Sequence, residues 1–376
     1  MRAVWIAALG VALTIAVLAS PSLAATQGPS HSVSGSGPAV FTMTNAVAGN
    51  QVVAYERNAS GGLTWAGNFS TGGTGTGASL ADQGSLAITS NHRWLLVVDA
   101  GSNQVSVFEL GQSSGMPWLT LRNVVGSGGV LPVSLTIHGN LVFVLNDGSA
   151  ISQGNIAGFT LGTNGHLSPI AGSSEPLSMS GATGAAQISF NPAGTLLAVT
   201  EKGTNLIDSF AVNSLGVARP LNSHASQGVT PYGFAFTAQG RLVVSEAVTG
   251  SLSSYGVGPY GYWTVISSSV SDQQGAPCWV VITPNGAYAY TSNAHSNSIS
   301  SYTLSSAAKL VLLQAVAATT DAAPTDLALA GQGHFLYVYN AGGDDIQGFQ
   351  VHANGSLTWV TTTGSLVGTA EGLVAI

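Results

Sequence analysis

Seven times along this chain an aliphatic residue is followed three positions later by Phe or Tyr. The pairs are Val52/Tyr55, Val105/Phe108, Ile156/Phe159, Ile207/Phe210, Leu252/Tyr255, Ile299/Tyr302 and Ile346/Phe349. The aromatics stand 53, 51, 51, 45, 47 and 47 residues apart. In six of the seven units Val or Leu follows two residues after the aromatic, and Arg57 breaks the pattern in the first. A repeat of this length with strand-forming residues implies radial repetition of a small sheet, an all-β seven-bladed β-propeller with four-stranded blades.

Composition agrees. Of 376 residues only 6% are charged, 45% are hydrophobic and 49 are Gly. Such a chain suits short strands and tight turns rather than solvent-facing helices. Length alone suggests about two domains, but seven similar sheets close into one ring. The net charge is −7. That excludes the basic surface nucleic acid requires.

Met1–Ala25 reads as a secretory signal. Arg2 supplies the positive start, Ala3–Ala19 the apolar run, and Ser22-Leu23-Ala24 a small-x-small cleavage site. The rival reading is an uncleaved anchor, which the apolar length nearly permits. Pro21 and the small residues after it favour cleavage, so a secreted, extracytoplasmic protein without stable membrane insertion is expected. One cysteine, Cys278, allows no internal disulfide.

Thr26–Gly37 is rich in Ser and Gly and reads as a flexible lead-in to a propeller over residues 38–376. Each unit repeats an apolar first strand, a turn such as Asn191-Pro192-Ala193-Gly194, a second strand, a polar loop, a third strand carrying the pair, and an outer strand. The second strands are expected at Trp94–Val98, Leu196–Thr200, Leu242–Ser245, Tyr288–Tyr290 and Phe335–Tyr339. The first unit lacks a first strand, whereas the chain ends Glu371-Gly372-Leu373-Val374-Ala375-Ile376, a unit start with nothing after it. The expectation is that this last strand completes blade 1 and closes the ring.

In a propeller the loops after second strands and the residues leading into first strands open on one face, around the channel mouth. The loops supply Asp99, Asp147, Glu201, Lys202, Glu246, His295, Asp344 and Asp345. The leads supply Pro132, Gln187, Tyr232, Cys278, Trp279, Asp326 and Glu371. Crowded carboxylates raise one another's pKa, which suits one of them to general acid or base work. Glu246 and Glu201 are the catalytic candidates, because neither has an adjacent Gly-Ser-Asn turn. Lys202, Tyr232, Trp279, Gln187, Asp99, His295, Asp326 and Glu371 are the binding candidates. The bland reading for each acid is a strand-capping hydrogen bond.

Other signals are weaker. Gly72–Gly77 is Gly-rich, but no Gly-Lys-Ser/Thr follows. The eight His are scattered singly, without metal spacing. Cys278 lacks an identifiable base, and no Gly-x-Ser-x-Gly elbow is present. No metal and no cofactor are expected.

Ala289-Tyr290-Thr291-Ser292-Asn293 with Asn297-Ser298-Ile299-Ser300-Ser301-Tyr302 resembles the repeat of the seven-bladed β-propeller lactonase-like proteins. Leu336-Tyr337-Val338-Tyr339-Asn340 and Val97-Val98-Asp99-Ala100-Gly101-Ser102-Asn103 do too. That family includes bacterial 6-phosphogluconolactonases and fungal 3-carboxymuconate cyclases. Val199–Asp208 and Val244–Ala247 resemble a secreted branch of it. The resemblance spans about Ala39 to Ile376. It implies a Pro-His pair leading into one first strand, a Pro-Arg-His run leading into the next, and an acid after the later blade's second strand. Glu246 matches the acid. Gly184-Ala185-Ala186-Gln187 and Pro231-Tyr232-Gly233-Phe234 stand where the His and Arg would be.

Two function classes follow. One is an exported lactonase-type enzyme that hydrolyses (or forms by cyclisation) a small neutral lactone or similar ester, with Glu246 or Glu201 as general base activating water. The other is a non-catalytic propeller binding a small molecule or a cell-surface protein. A monomer is expected in either case.

Overall fold

The computed structural model describes residues 37–113, 115–178, 183–258, 261–364 and 366–376. The leader Met1–Ala25 and residues 26–36 of the expected lead-in lie outside the described residues. Among the described residues twenty-eight strands form seven antiparallel four-stranded sheets. Blades 2 to 7 span residues 86–126, 132–176, 185–225, 231–271, 277–319 and 324–363. Among the described residues no helix is long and apolar enough to cross a membrane.

Blade 1 is built from both ends of the propeller. Its sheet runs Glu371–Ala375, Ala39–Met43, Gln51–Arg57, Leu63–Ser70. Phe41 pairs with Val374 on one side and Ala54 on the other. Arg57, the break in the repeat, has a task the other units do not need. Its Nε and Nη2 both donate to the Ile376 main-chain oxygen at 3.3 Å, and its guanidinium sits over Phe335 at 5.3 Å.

The spaced pairs are scaffold. Residues three apart on a strand point to opposite faces, so each pair buries both faces of its blade. Tyr55, Phe108, Phe159, Phe210, Tyr255, Tyr302 and Phe349 are all buried, as are their seven aliphatic partners. Blades are also stitched by polar clips. Asn103, Asn205 and Asn297 take φ of 58°, 58° and 51°, a left-handed conformation Asn tolerates. Their side-chain oxygens accept from Leu131 N, Thr230 N and Ala323 N, each the residue leading into the next blade, at 2.7, 2.7 and 2.9 Å. The turn glycines Gly194, Gly240 and Gly286 have φ of 67°, 74° and 68°, which explains Gly at the end of each first turn.

Candidate site at the channel mouth

The second strands run further than the sequence suggests, to Asp99, Glu201, Glu246, Asn293 and Asn340. Residues expected in loops are therefore strand ends. The last residues of the second strands of blades 2 to 7 are Asp99, Asn146, Glu201, Glu246, Asn293 and Asn340, all fully buried. Most hold the following strand. Asp99 accepts from Ser106 Oγ at 2.5 Å, Glu246 from Ser253 Oγ at 2.7 Å, and Asn293 Nδ2 donates to Ser300 Oγ at 2.8 Å. Asn340 Nδ2 donates to Gln347 Oε1 at 3.0 Å. The partner in each case lies seven residues on.

Glu246 is held on all sides. Ser226 Oγ, the Gly228 amide, Ser253 Oγ, Ser251 Oγ and Ser269 Oγ donate to its two oxygens at 2.7–3.1 Å. Glu201 accepts from the Ser178 amide and hydroxyl and from Thr204 Oγ1. Its seventh-residue partner is Asp208, whose pKa is pushed up to about 7 by burial and by the Glu201 charge. Asp99 also accepts from Asn50 Nδ2 and Thr71 Oγ1. Gln187 Oε1 accepts from Phe234 N at 2.6 Å, bridging blades 4 and 5. His295 is exposed on its loop.

A different set converges at the mouth: Lys202, Tyr232, Cys278, Trp279, Asp326 and Glu371. Two residues that sequence reasoning passed over, Asp82 and Gln83, join them. Both belong to the connection from blade 1 to blade 2, which crosses the ring. The Gln83 amide donates to Ala186 O at 3.0 Å. Its side chain donates to Val280 O and accepts from Val280 N, each at 3.1 Å. Ser134 Oγ donates to Gln83 O, and Trp279 Nε1 to Asp82 O, both at 2.7 Å. Blades 3, 4 and 6 thus hold one strap. A Cβ on Gly233 would stand 2.2 Å from Gln83 Oε1, so this approach requires Gly.

Lys202 Nζ donates to Ala81 O of the strap and to Ala185 O, and lies 4.8 Å above the Tyr232 ring. Tyr232 in turn meets Trp279 with centroids 5.2 Å apart. Burial pulls the lysine pKa down, against the opposing pull of Asp82, Asp147, Cys278 and Glu371. Asp82 is buried, and neither of its carboxyl oxygens has a hydrogen-bond partner. Burial, then the charges of Glu371 and Asp326, push its pKa well above the carboxylate range. Burial raises Asp326 to about 8, although the Leu327 and Leu373 amides donate to it at 2.8 and 3.1 Å. Glu371, which accepts from Leu80 N at 2.8 Å, is raised by burial to about 7.

The mouth therefore holds two carboxyls, Glu371 and Asp326, whose proton affinities suit transfer near neutral pH, beside Asp82, raised well above the carboxylate range, and one amine. Burial drives Cys278 up to about 12, so it is a thiol and no nucleophile. Among the described residues no group of three or more His, Cys, Asp and Glu is placed to hold a metal. A cavity of about 540 Å³ lies against Pro192, Ala193 and Gly240 at the first turns of blades 4 and 5, and none of its described lining residues is ionisable. Size alone does not mark the chemistry here.

The profile of a family described as lactonase, 7-bladed beta-propeller, matches residues 152–260 and 261–369. Among solved structures, the periplasmic gluconolactonase of Pseudomonas aeruginosa is 16% identical, with a TM-score of 0.70 over 90% of this chain and 99% of that one. A candidate 6-phosphogluconolactonase from Bacteroides uniformis is 14% identical, with a TM-score of 0.72 over 90% and 99%. One from Bacteroides fragilis is 17% identical, with a TM-score of 0.67 over 90% and 98%. No curated protein matches significantly in sequence.

Proposed function

Because this chain belongs to the seven-bladed β-propeller lactonase family, we propose that it hydrolyses a small neutral lactone at the channel mouth, with Glu371 as general base. The observation that carries this reading is the gathering of Glu371, Asp326 and Lys202 around Asp82. Glu371 takes a proton from water as the water oxygen bonds to the lactone carbonyl carbon. Lys202 stabilises the resulting oxyanion: an ammonium has three N–H groups, and Ala81 and Ala185 use two. The ring C–O bond then breaks, its oxygen recovers the proton from Glu371, and an open hydroxy acid leaves. A base with a pKa of about 7 is well matched to neutral water. The candidate mouth residues include one Lys and no Arg, which disfavours a phosphorylated substrate. Reading Met1–Ala25 as a secretory leader supports an activity outside the cytoplasm.

The test is a panel of neutral and phosphorylated aldonolactones followed by acid release. The expected result is hydrolysis of a neutral lactone, with a rate that rises with pH through about 7. Glu371→Gln should lower kcat by about a hundredfold or more. A wild-type rate equal to the buffer rate rejects catalysis. Equal rates in wild type, Glu371→Gln and Lys202→Met reject this assignment. One observation favours a second reading, a propeller that binds a small molecule or a surface protein without turnover: the strap lies across the mouth. Lactone binding without acid release is its signature.

A further inference from the structure

Away from the mouth, a cavity of about 460 Å³ lies where blade 1 meets Gly364, Leu366 and Val367. Thr44, Val53, Tyr55, Trp65, Asn68 and Leu366 are among its lining residues. Tyr55 pairs with Trp65 and Val53 with Asn68 in the strand ladder. Paired residues share a face, so all four side chains stand together. Trp65 and Asn68 are three apart, a spacing that ordinarily opposes side chains. The ladder shifts between Ala54 and Tyr55, and this bulge turns them to one side.

The consequence is an exposed yet fixed aromatic surface. Trp65 is 60% exposed. Its Nε1 donates to Asn68 Oδ1 at 3.0 Å, and Asn68 Nδ2 donates to Gln51 Oε1 at 3.2 Å. An indole already held loses little side-chain freedom when a ligand covers it. Asn68 Nδ2 carries two hydrogens, and Gln51 takes one. Among the described residues no lining residue is Asp, Glu, Lys, Arg or His, so the cavity is matched to a neutral guest.

That guest needs a broad C–H face for the indole and hydroxyls for the amide edge. A pyranose ring has both. We propose that this cavity binds a neutral saccharide, one sugar ring stacked on Trp65 and a hydroxyl accepting from Asn68. The site is independent of lactone turnover. Trp359 is the internal control: it is 58% exposed and its Nε1 donates to Thr362 Oγ1 at 3.1 Å across a similar bulge, but it does not line the cavity.

The experiment titrates the full chain with cellobiose, maltose and chitobiose, read by saturation-transfer NMR and tryptophan fluorescence, with cyclohexanol as a ring lacking the hydroxyl array. The expected result is binding of at least one disaccharide. Trp65→Ala should weaken it by about tenfold or more, Trp65→Phe less, and Trp359→Ala not at all. Because Trp65 is on the surface, its variants should keep the wild-type melting temperature. Failure of all three sugars to bind, equal affinity in Trp65→Ala, or cyclohexanol competing as well as the sugars would overturn the proposal.

Discussion

Glu246 and Asp82 are both buried carboxyls near one end of the ring, and they could hardly be surrounded more differently. Glu246 ends a second strand and receives five hydrogen bonds, four of them from serines. Asp82 sits in a connection and receives none. A buried carboxylate ringed by donors stabilises a fold. One without donors is disfavoured as a charge, holds its proton and raises its pKa. The contrast separates the acids this scaffold uses for joining strands from those available for chemistry.

The most severe test removes Gly372–Ile376. Those residues complete blade 1, and Leu373 N donates to Asp326. Deleting them should abolish cooperative unfolding of the whole ring while also dispersing the mouth carboxyls. A truncated chain that melts within a degree or two of the full one would break the account of ring closure. Next in size is Glu246→Ala, which strands several buried donors. It should cost about 3 kcal/mol or more in denaturant unfolding, and no such loss would remove Glu246 from the scaffold.

Asp82→Asn should act in the opposite sense. The folded pKa of Asp82 lies above its ordinary 3.8. Its favourable contribution is therefore complete below that value and is lost as pH rises toward the folded pKa. Wild-type stability should fall over that interval by up to about 1.4 kcal/mol per pH unit per proton, and the variant should show a flatter profile. Parallel profiles would show that Asp82 is ionised in the folded protein and differs little from Glu246 in that respect.

Asp208→Ser is the mildest. Ser106, Ser253 and Ser300 hold the corresponding place in blades 2, 5 and 6. Asp208 stands at about 7 when folded, so its contribution also declines with rising pH and is gone above about 7. Replacing it should remove about 1 kcal/mol of the stability change across neutrality. Chemical denaturation on either side of pH 7 measures it, and an unchanged difference would mean that Asp208 does not hold its proton up to about pH 7 in the folded protein.

The blade architecture was legible because its signals are local. A third-strand aliphatic and aromatic three apart bury both faces, wherever the neighbouring blade comes from. The strap was not legible. Ser79–Ser85 carries no repeat pattern, and its partners Ala186, Trp279 and Val280 are about a hundred to two hundred residues away. The length of the connection shows only once the strands are placed: fifteen residues separate Ser70 from Leu86, against five between Gly126 and Pro132. Glu246 and Glu201 looked available because a strand-end acid and a loop acid read alike until the donors around them are known.

From the amino-acid order alone came seven four-stranded blades, and a last strand that completes the first. Periodicity and turn chemistry need only near neighbours to express themselves. Which carboxyls are saturated, which are left without donors, and that Lys202 meets them under the strap were decided by the tertiary structure. Proton affinity depends on burial and on charges contributed by other blades, and no stretch of sequence contains its own surroundings.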